Sequence, residues 1–217
     1  MKSSSGAVLS LFDRVILGID HGLRVVAGPE KTAGRVYPAE GVTEVTLTKA
    51  EKAHSVGLMR VNHAGEVSAQ ALYLSQAMFS KKPELYKVFM DAASEEKDHL
   101  WWCKKRITEL GGRTSLLDGF WFAGAFVIGT GVARRGDDVS LGFVEETEAQ
   151  VVAHLDGHLE KMAPNDTRSR SIIEEMRRDE AKHGEHASEL GAQRLPKFFR
   201  RLMKLQSRCM TFLAYKV

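Results

Sequence analysis

The sequence predicts an all-α protein, a four-helix bundle with additional amphipathic helices at its N- and C-terminal ends. Three observations predict it. Apolar residues recur at intervals of three and four along most of the chain, and no run alternates with the period of two that a half-buried strand needs. Capping and breaking residues divide the periodic stretches into segments of helical length. The 217 residues, 43% hydrophobic and 27% charged, can bury a real core and lack the profile of a disordered chain.

The elements follow in order. From about Leu9 to Val26, Phe12, Val15, Ile16, Ile19 and Leu23 fall at helical intervals. Residues 28–47 hold glycines, Pro29, Pro38 and β-branched residues, and read as a loop or short extended arm. Thr48 with Glu51 forms a capping box opening a long helix to about Ser80. Pro83 suits the first turn of the next helix, which Gly111-Gly112 closes. Residues 116–133, "LLDGFWFAGAFVIGTGVA", are apolar and glycine-rich. A further helix runs from about Asp138 to Met162, another from Asp166 to Gly191, and Pro196 precedes a last, basic one. The expected organisation is an N-terminal helix and arm over 1–47, a bundle over 48–193 with an apolar crossover at about 113–136, and a basic amphipathic helix over 194–217.

Charge is unevenly spread. Seven basic residues and no acid lie from Arg194 onward, leaving the rest of the chain near −4 within a net +3. Cys103 and Cys209 are isolated, which excludes a disulfide framework or a thiolate metal site and fits a reducing compartment. The first residues lack an apolar run of signal-peptide length, so an unexported protein is expected.

The bundle helices carry their acids in an unusual place. Glu96 and His99 share a helical face with Leu85, Phe89, Ala92, Leu100, Cys103 and Ile107, and Glu180 and His183 share one with Ile172, Ile173, Met176 and Ala187. Glu148 lies with Leu141, Val144, Val151 and Leu155. Glu66 lies with Met59, His63, Gln70, Tyr73 and Ala77. One Glu-x-x-His is commonly a solvated helix pair, but here it occurs twice, each copy after a lone inward glutamate. Glu66 to Glu96 spans 30 residues and Glu148 to Glu180 spans 32. Two such hairpins stack their ligands at one level, the arrangement of carboxylate-bridged di-metal bundles. Four inward carboxylates repel one another and are costly to desolvate. Two divalent cations offset their charge, and oxygen donors with one imidazole per ion suit iron or manganese rather than structural zinc.

"RVNHAGEVSAQALY", "EEKDHL", "TEAQVVAHLDGHL" and "DEAKHGEHA" resemble the demethoxyubiquinone hydroxylase family, the Coq7-type di-iron monooxygenases of ubiquinone biosynthesis. The resemblance spans about residues 50–217 and implies a ferritin-like four-helix bundle. It implies two iron ions held by Glu66, Glu96, His99, Glu148, Glu180 and His183, with the family's additional histidine matching His154. It implies O2 as co-substrate, a polyprenylated demethoxyubiquinol as substrate, and insertion of one oxygen atom into its ring. Reducing equivalents come from the quinol itself or from NADH; no Gly-x-Gly-x-x-Gly fingerprint marks a dinucleotide domain. Other ubiquinone-biosynthesis proteins become candidate partners, and a homo-oligomer is compatible with the sequence.

His154 and Tyr73 are the candidate catalytic residues beside the metal ligands, His154 for outer-sphere or proton-transfer work and Tyr73 as a buried phenol bonded to a carboxylate. His63 either donates to a ligand or packs as an ordinary helix histidine. His158 and His186 are expected to face solvent, and Trp101 and Trp102 to pack off the ligand face. Residues 119–133 are a buried crossover, a monotopic patch for quinol entry, or both, being too glycine-rich for a span. The C-terminal helix interleaves its cations with Phe198, Phe199, Leu202 and Phe212, which suits an anionic bilayer and not nucleic acid. The expected location is peripheral, on the cytoplasmic face of the cell's inner membrane. The alternatives are a ferritin-like or rubrerythrin-like ferroxidase or peroxide-handling protein, and a lipid-binding helical module without catalysis.

Overall fold

A computed structural model describes residues 11–28 and 34–217; the expected helix start at Leu9, Pro29 and the side chain of Val15 lie outside what it describes. The described residues form seven helices and no strand: α1 (Leu11–Ala27), α2 (Lys49–Phe79), α3 (Pro83–Glu109), α4 (Asp118–Ala133), α5 (Asp137–Lys161), α6 (Thr167–Glu189) and α7 (Lys197–Lys216). Helices α2 and α3 form one hairpin and α5 and α6 another, packed as the ferritin-like four-helix bundle.

Local chemistry sets the helix ends. Thr48 Oγ1 accepts from Glu51 N at 3.2 Å while the Glu51 carboxylate accepts from Thr48 N at 2.7 Å, the reciprocal box that starts α2. Asp166 caps α6 by accepting from Ser169 N at 3.2 Å. Helix α3 opens on Pro83, and beyond its last turn Gly111 takes the left-handed φ of 76°.

The crossover is a helix in its own right. Helix α4 lies against α2, close enough that a Cβ on Gly129 would fall 2.0 Å from Ser75 Oγ and 3.2 Å from the Leu72 carbonyl. It buries Phe122 and Ala125 and leaves Phe120 and Val127 about two-thirds exposed. No helix among the described residues is long and apolar enough to cross a membrane.

Helix α1 turns its smaller side inward. Gly18 and Gly22 sit directly under the rings of Phe126 and Phe122, Val25 is buried, and His21 bonds Gln70 of α2 at 3.0 Å. The apolar stripe read from the sequence faces outward instead, with Phe12, Ile16, Ile19 and Leu23 all exposed. Glycines permit the close approach to α4, so the large side chains are left on the far face. Helix α7 likewise leaves Phe198, Phe199, Leu202, Leu205 and Phe212 exposed.

The arm before α2 packs instead of dangling. Tyr37, Ala39 and Leu47 are buried, Arg35 reaches Glu175 and Asp179 on α6, and Glu44 bonds Arg106. Arg106 is itself fully buried, held also by Asp166 at 2.8 Å and by Ser169. Burial opposes its charge, yet these carboxylates push its pKa still higher.

Candidate metal centre

The inward faces of the four bundle helices converge on one buried acidic cluster. Single donor atoms of Glu66, Glu96, His99 and Glu180 all lie within 4.8 Å of one another, and all four residues are buried. His99 Nδ1 is 2.9 Å from Glu96 Oε2, 3.2 Å from Glu180 Oε1 and 3.9 Å from Glu66 Oε2. His183 Nδ1 faces the other oxygens of the same two acids, 3.1 Å from Glu96 Oε1 and 3.6 Å from Glu180 Oε2. Glu96 and Glu180 therefore present one oxygen to each imidazole. Glu66 stands on the His99 side. Glu148, buried at 4% exposure, accepts a 2.7 Å hydrogen bond from Tyr73 Oη.

An acid outside the cluster grips the far nitrogen of each imidazole, and the two grips cross. His99 Nε2 lies 3.1 Å from Asp179 Oδ2, and His183 Nε2 lies 3.0 Å from Glu95 Oε2. Asp179 immediately precedes Glu180 and Glu95 immediately precedes Glu96, so the acid before each motif holds the histidine of the other. Such a bond keeps the proton on Nε2 and leaves the Nδ1 lone pair for a cation. Neither Asp179 nor Glu95 was singled out from the sequence. The available signal was the doubled acid in "EEKDH" and "DEAKH", present in both copies. Arg35, from the arm, completes the support by donating to Asp179 Oδ2 at 2.5 Å. Burial raises the Asp179 pKa, but His99 and Arg35 outweigh it and hold the carboxyl well below the usual range.

The electrostatics fit cations. Burial first, then the neighbouring carboxylates, raise Glu66 and Glu148 well above the ordinary range. Burial works against charge on His183, yet contact with Glu180 and Glu96 pushes it up to about 12; His99 rises for the same reason. The cluster thus draws protons to offset its negative charge, the task that divalent ions perform in a di-metal bundle. Glu96 Oε1 and His183 Nδ1 are buried, 3.1 Å apart, and still make no aligned hydrogen bond. Oxygen and imidazole groups gathered in this way fit hard or borderline divalent ions such as iron.

The other expectations divide. Tyr73 bonds a carboxylate as anticipated, and burial with the adjoining Glu148 drives its pKa well up, so its O–H remains a donor. His154 is not joined to the cluster; it lines an apolar cavity beside it, with Nε2 unpartnered. His63 pairs with Asp118 at the start of α4, Nδ1 to Oδ2 at 3.3 Å. His186 is exposed, but His158 is buried, its ring 3.9 Å from that of His154. The i, i+4 spacing of the two histidines on α5 brings their rings into tilted contact, 60° between planes. Trp102 is likewise nearer the site than its position suggested, fully buried with its ring 5.2 Å from that of His99.

The cavity beside the cluster measures about 140 Å³. Glu66, Glu148 and Glu180 of the cluster line it, and its walls include Val61 and Leu72 of α2, Ala125 and Ile128 of α4, Phe143 and Val151 of α5, and Met203 and Met210 of α7. The C-terminal helix is thus part of the cavity wall.

Comparison with known proteins agrees with this geometry. The family model described as "Ubiquinone biosynthesis protein COQ7" matches residues 53–214. A 3-demethoxyubiquinol 3-hydroxylase of Nitrosococcus oceani is 48% identical over 210 residues, covering 97% of this chain and 98% of the relative. One from Ralstonia pickettii is 47% identical over 218 residues, covering 95% and 100%. One from Coxiella burnetii is 47% identical over 213 residues, covering 98% and 99%.

Proposed function

The chain belongs to the COQ7 family of ubiquinone-biosynthesis proteins, and we infer from that membership that it is a 3-demethoxyubiquinol 3-hydroxylase. The observation that carries the reading is the meeting of two Glu–His groups, joined through Glu96 and Glu180, with a largely apolar cavity that Glu66, Glu148 and Glu180 line. We assign Glu66, Glu96, His99, Glu148, Glu180 and His183 as the ligands of two iron ions, Glu66 paired with His99 and Glu148 with His183. Bound there, the ions would supply the redox chemistry that lets O2 deliver one oxygen atom to the ring.

The protein's own residues bind, orient and exclude water. Tyr73 fixes Glu148 by donating to it. Burial holds the His154 pKa down at about 4, so a neutral imidazole faces the cavity, able to hydrogen-bond a ring hydroxyl. The apolar walls keep water from the reacting ring. External reductant, NADH or the quinol itself, completes the electron balance.

The uncovered apolar side chains of α1, α4 and α7, with the basic residues of α7 among them, support peripheral contact with an anionic bilayer, from which a polyprenyl quinol can reach the cavity. In this division of labour residues 48–193 carry the chemistry, Arg35 of the preceding arm supports Asp179, and residues of 194–217 complete the cavity wall. A ferroxidase or peroxide-handling role would use the carboxylates but gives the cavity no purpose. Quinones extracted from cells lacking the protein test the assignment: the demethoxy intermediate accumulates and the intact gene restores ubiquinone, whereas normal ubiquinone in its absence refutes it.

A further inference from the structure

One polar side chain in the cavity wall takes no part in the metal cluster and has no partner. Asn62 is 4% exposed, and among the described residues nothing hydrogen-bonds its Oδ1 or its Nδ2. It stands one helical turn before Glu66 on α2, and both residues line the cavity. Three other polar groups of the wall already have partners: Ser68 Oγ donates to the Ala64 carbonyl, Thr147 Oγ1 to the Phe143 carbonyl, and Gln150 Nε2 to Glu146. A buried amide left without partners is costly, and an apolar residue of similar shape removes that cost. A position serving the fold alone would favour leucine. A buried, unpartnered primary amide in the wall of a largely apolar cavity is built to meet a ligand that brings the missing partners.

We propose that Asn62 is the residue that grips the quinol ring and selects its reduced form. The proposal rests on the quinol reading above and adds a positioning residue to it. The amide offers both senses of hydrogen bond, donating through Nδ2 and accepting through Oδ1. A ring hydroxyl satisfies Oδ1, and a second ring oxygen accepts from Nδ2. A quinone carbonyl has no proton to give, so it fills Nδ2 and leaves Oδ1 buried and unpaired. Such an unpaired group is what lets a site reject an analogue lacking one hydroxyl. Across the cavity, His154 offers its unpartnered Nε2 as a second polar contact. Two polar points on facing helices orient a ring whose tail follows the apolar walls.

The test is anaerobic equilibrium binding to the full-length protein of a short-tailed methoxy-methyl hydroquinone and of its quinone. The wild type is expected to prefer the hydroquinone by about tenfold, the effect of one hydrogen bond. Asn62→Leu and the smaller Asn62→Ala should each weaken hydroquinone binding by about tenfold and bring the two forms to near-equal affinity. The thermal midpoint of Asn62→Leu should stay at or above that of the wild type. Parallel loss of both ligands, with a lowered midpoint, would overturn the proposal by showing a structural role. Unchanged hydroquinone preference in both variants would overturn it too, while leaving the substrate reading intact. Failure of the wild type to bind either ring would sink the substrate reading and the proposal together.

Discussion

Replacing Asp179 by asparagine keeps the side chain's volume and removes the charge that holds His99. In the native site Asp179 Oδ2 lies 3.1 Å from His99 Nε2 and 2.5 Å from Arg35 Nη1, on a side chain 4% exposed. A hydrogen bond to a charged partner contributes about 1.5–3 kcal/mol, against about 0.5–1.5 for a neutral pair. The substitution thus costs roughly 1–2 kcal/mol of support for the Nδ1-facing tautomer. Since about 1.4 kcal/mol is a factor of ten, metal affinity should fall by about tenfold or more, within the roughly 10–100-fold usual for such outer partners. The assay is an anaerobic competition for ferrous ion between the full-length protein and a chelator of known affinity. Glu95→Gln is the matched control, the same chemical change against His183. Glu95 is 50% exposed, so solvent already screens its bond and the loss should stay below about threefold. Asp179→Asn binding like the wild type, or Glu95→Gln losing as much as Asp179→Asn, would refute the reasoning.

Glu148→Ala should lose iron while its far-ultraviolet circular dichroism stays helical; full iron occupancy would remove Glu148 from the ligand set. Burial holds His154 at about 4 and His158 down at about 2 in the folded protein, against 6.5 when unfolded. The unfolded chain takes up these protons first, so the stability they confer is present above about pH 6.5 and drains away as pH falls. His158→Phe should therefore change the unfolding free-energy difference from wild type by about 1.2 kcal/mol between pH 6 and pH 5 in denaturant titrations; a constant difference contradicts this. Within a helix, Gly→Ala ordinarily stabilises by about 1 kcal/mol. At Gly142 the new Cβ would sit 1.9 Å from the Gln193 carbonyl oxygen, so the sign reverses. A loss of about 1–3 kcal/mol, lowering the thermal midpoint by about 2–4 °C for each kcal/mol, should appear in scanning calorimetry, and a raised midpoint would discredit the packing assigned there.

By itself the sequence determined the helices and the depth of the acids. A helix start depends on neighbours such as Thr48 and Glu51, and a helical face on steps of three and four, so both are local and periodic. The repeated Glu-x-x-His carried the convergence of these acids and histidines for the same reason, because two hairpins of matched length leave few other ways to stack. Residues acting between helices were beyond reach of that reasoning. Asp179 serves a histidine eighty positions away and Arg35 enters from an arm with no periodicity, so only packing creates their bonds. His158 was misjudged because solvent exposure depends on what lies opposite a helix, which spacing along one helix does not specify. The outward stripe of α1 follows the same logic. Amphipathicity announces two faces, but only the glycine-sized fit under Phe122 and Phe126 decided which of them meets the bundle.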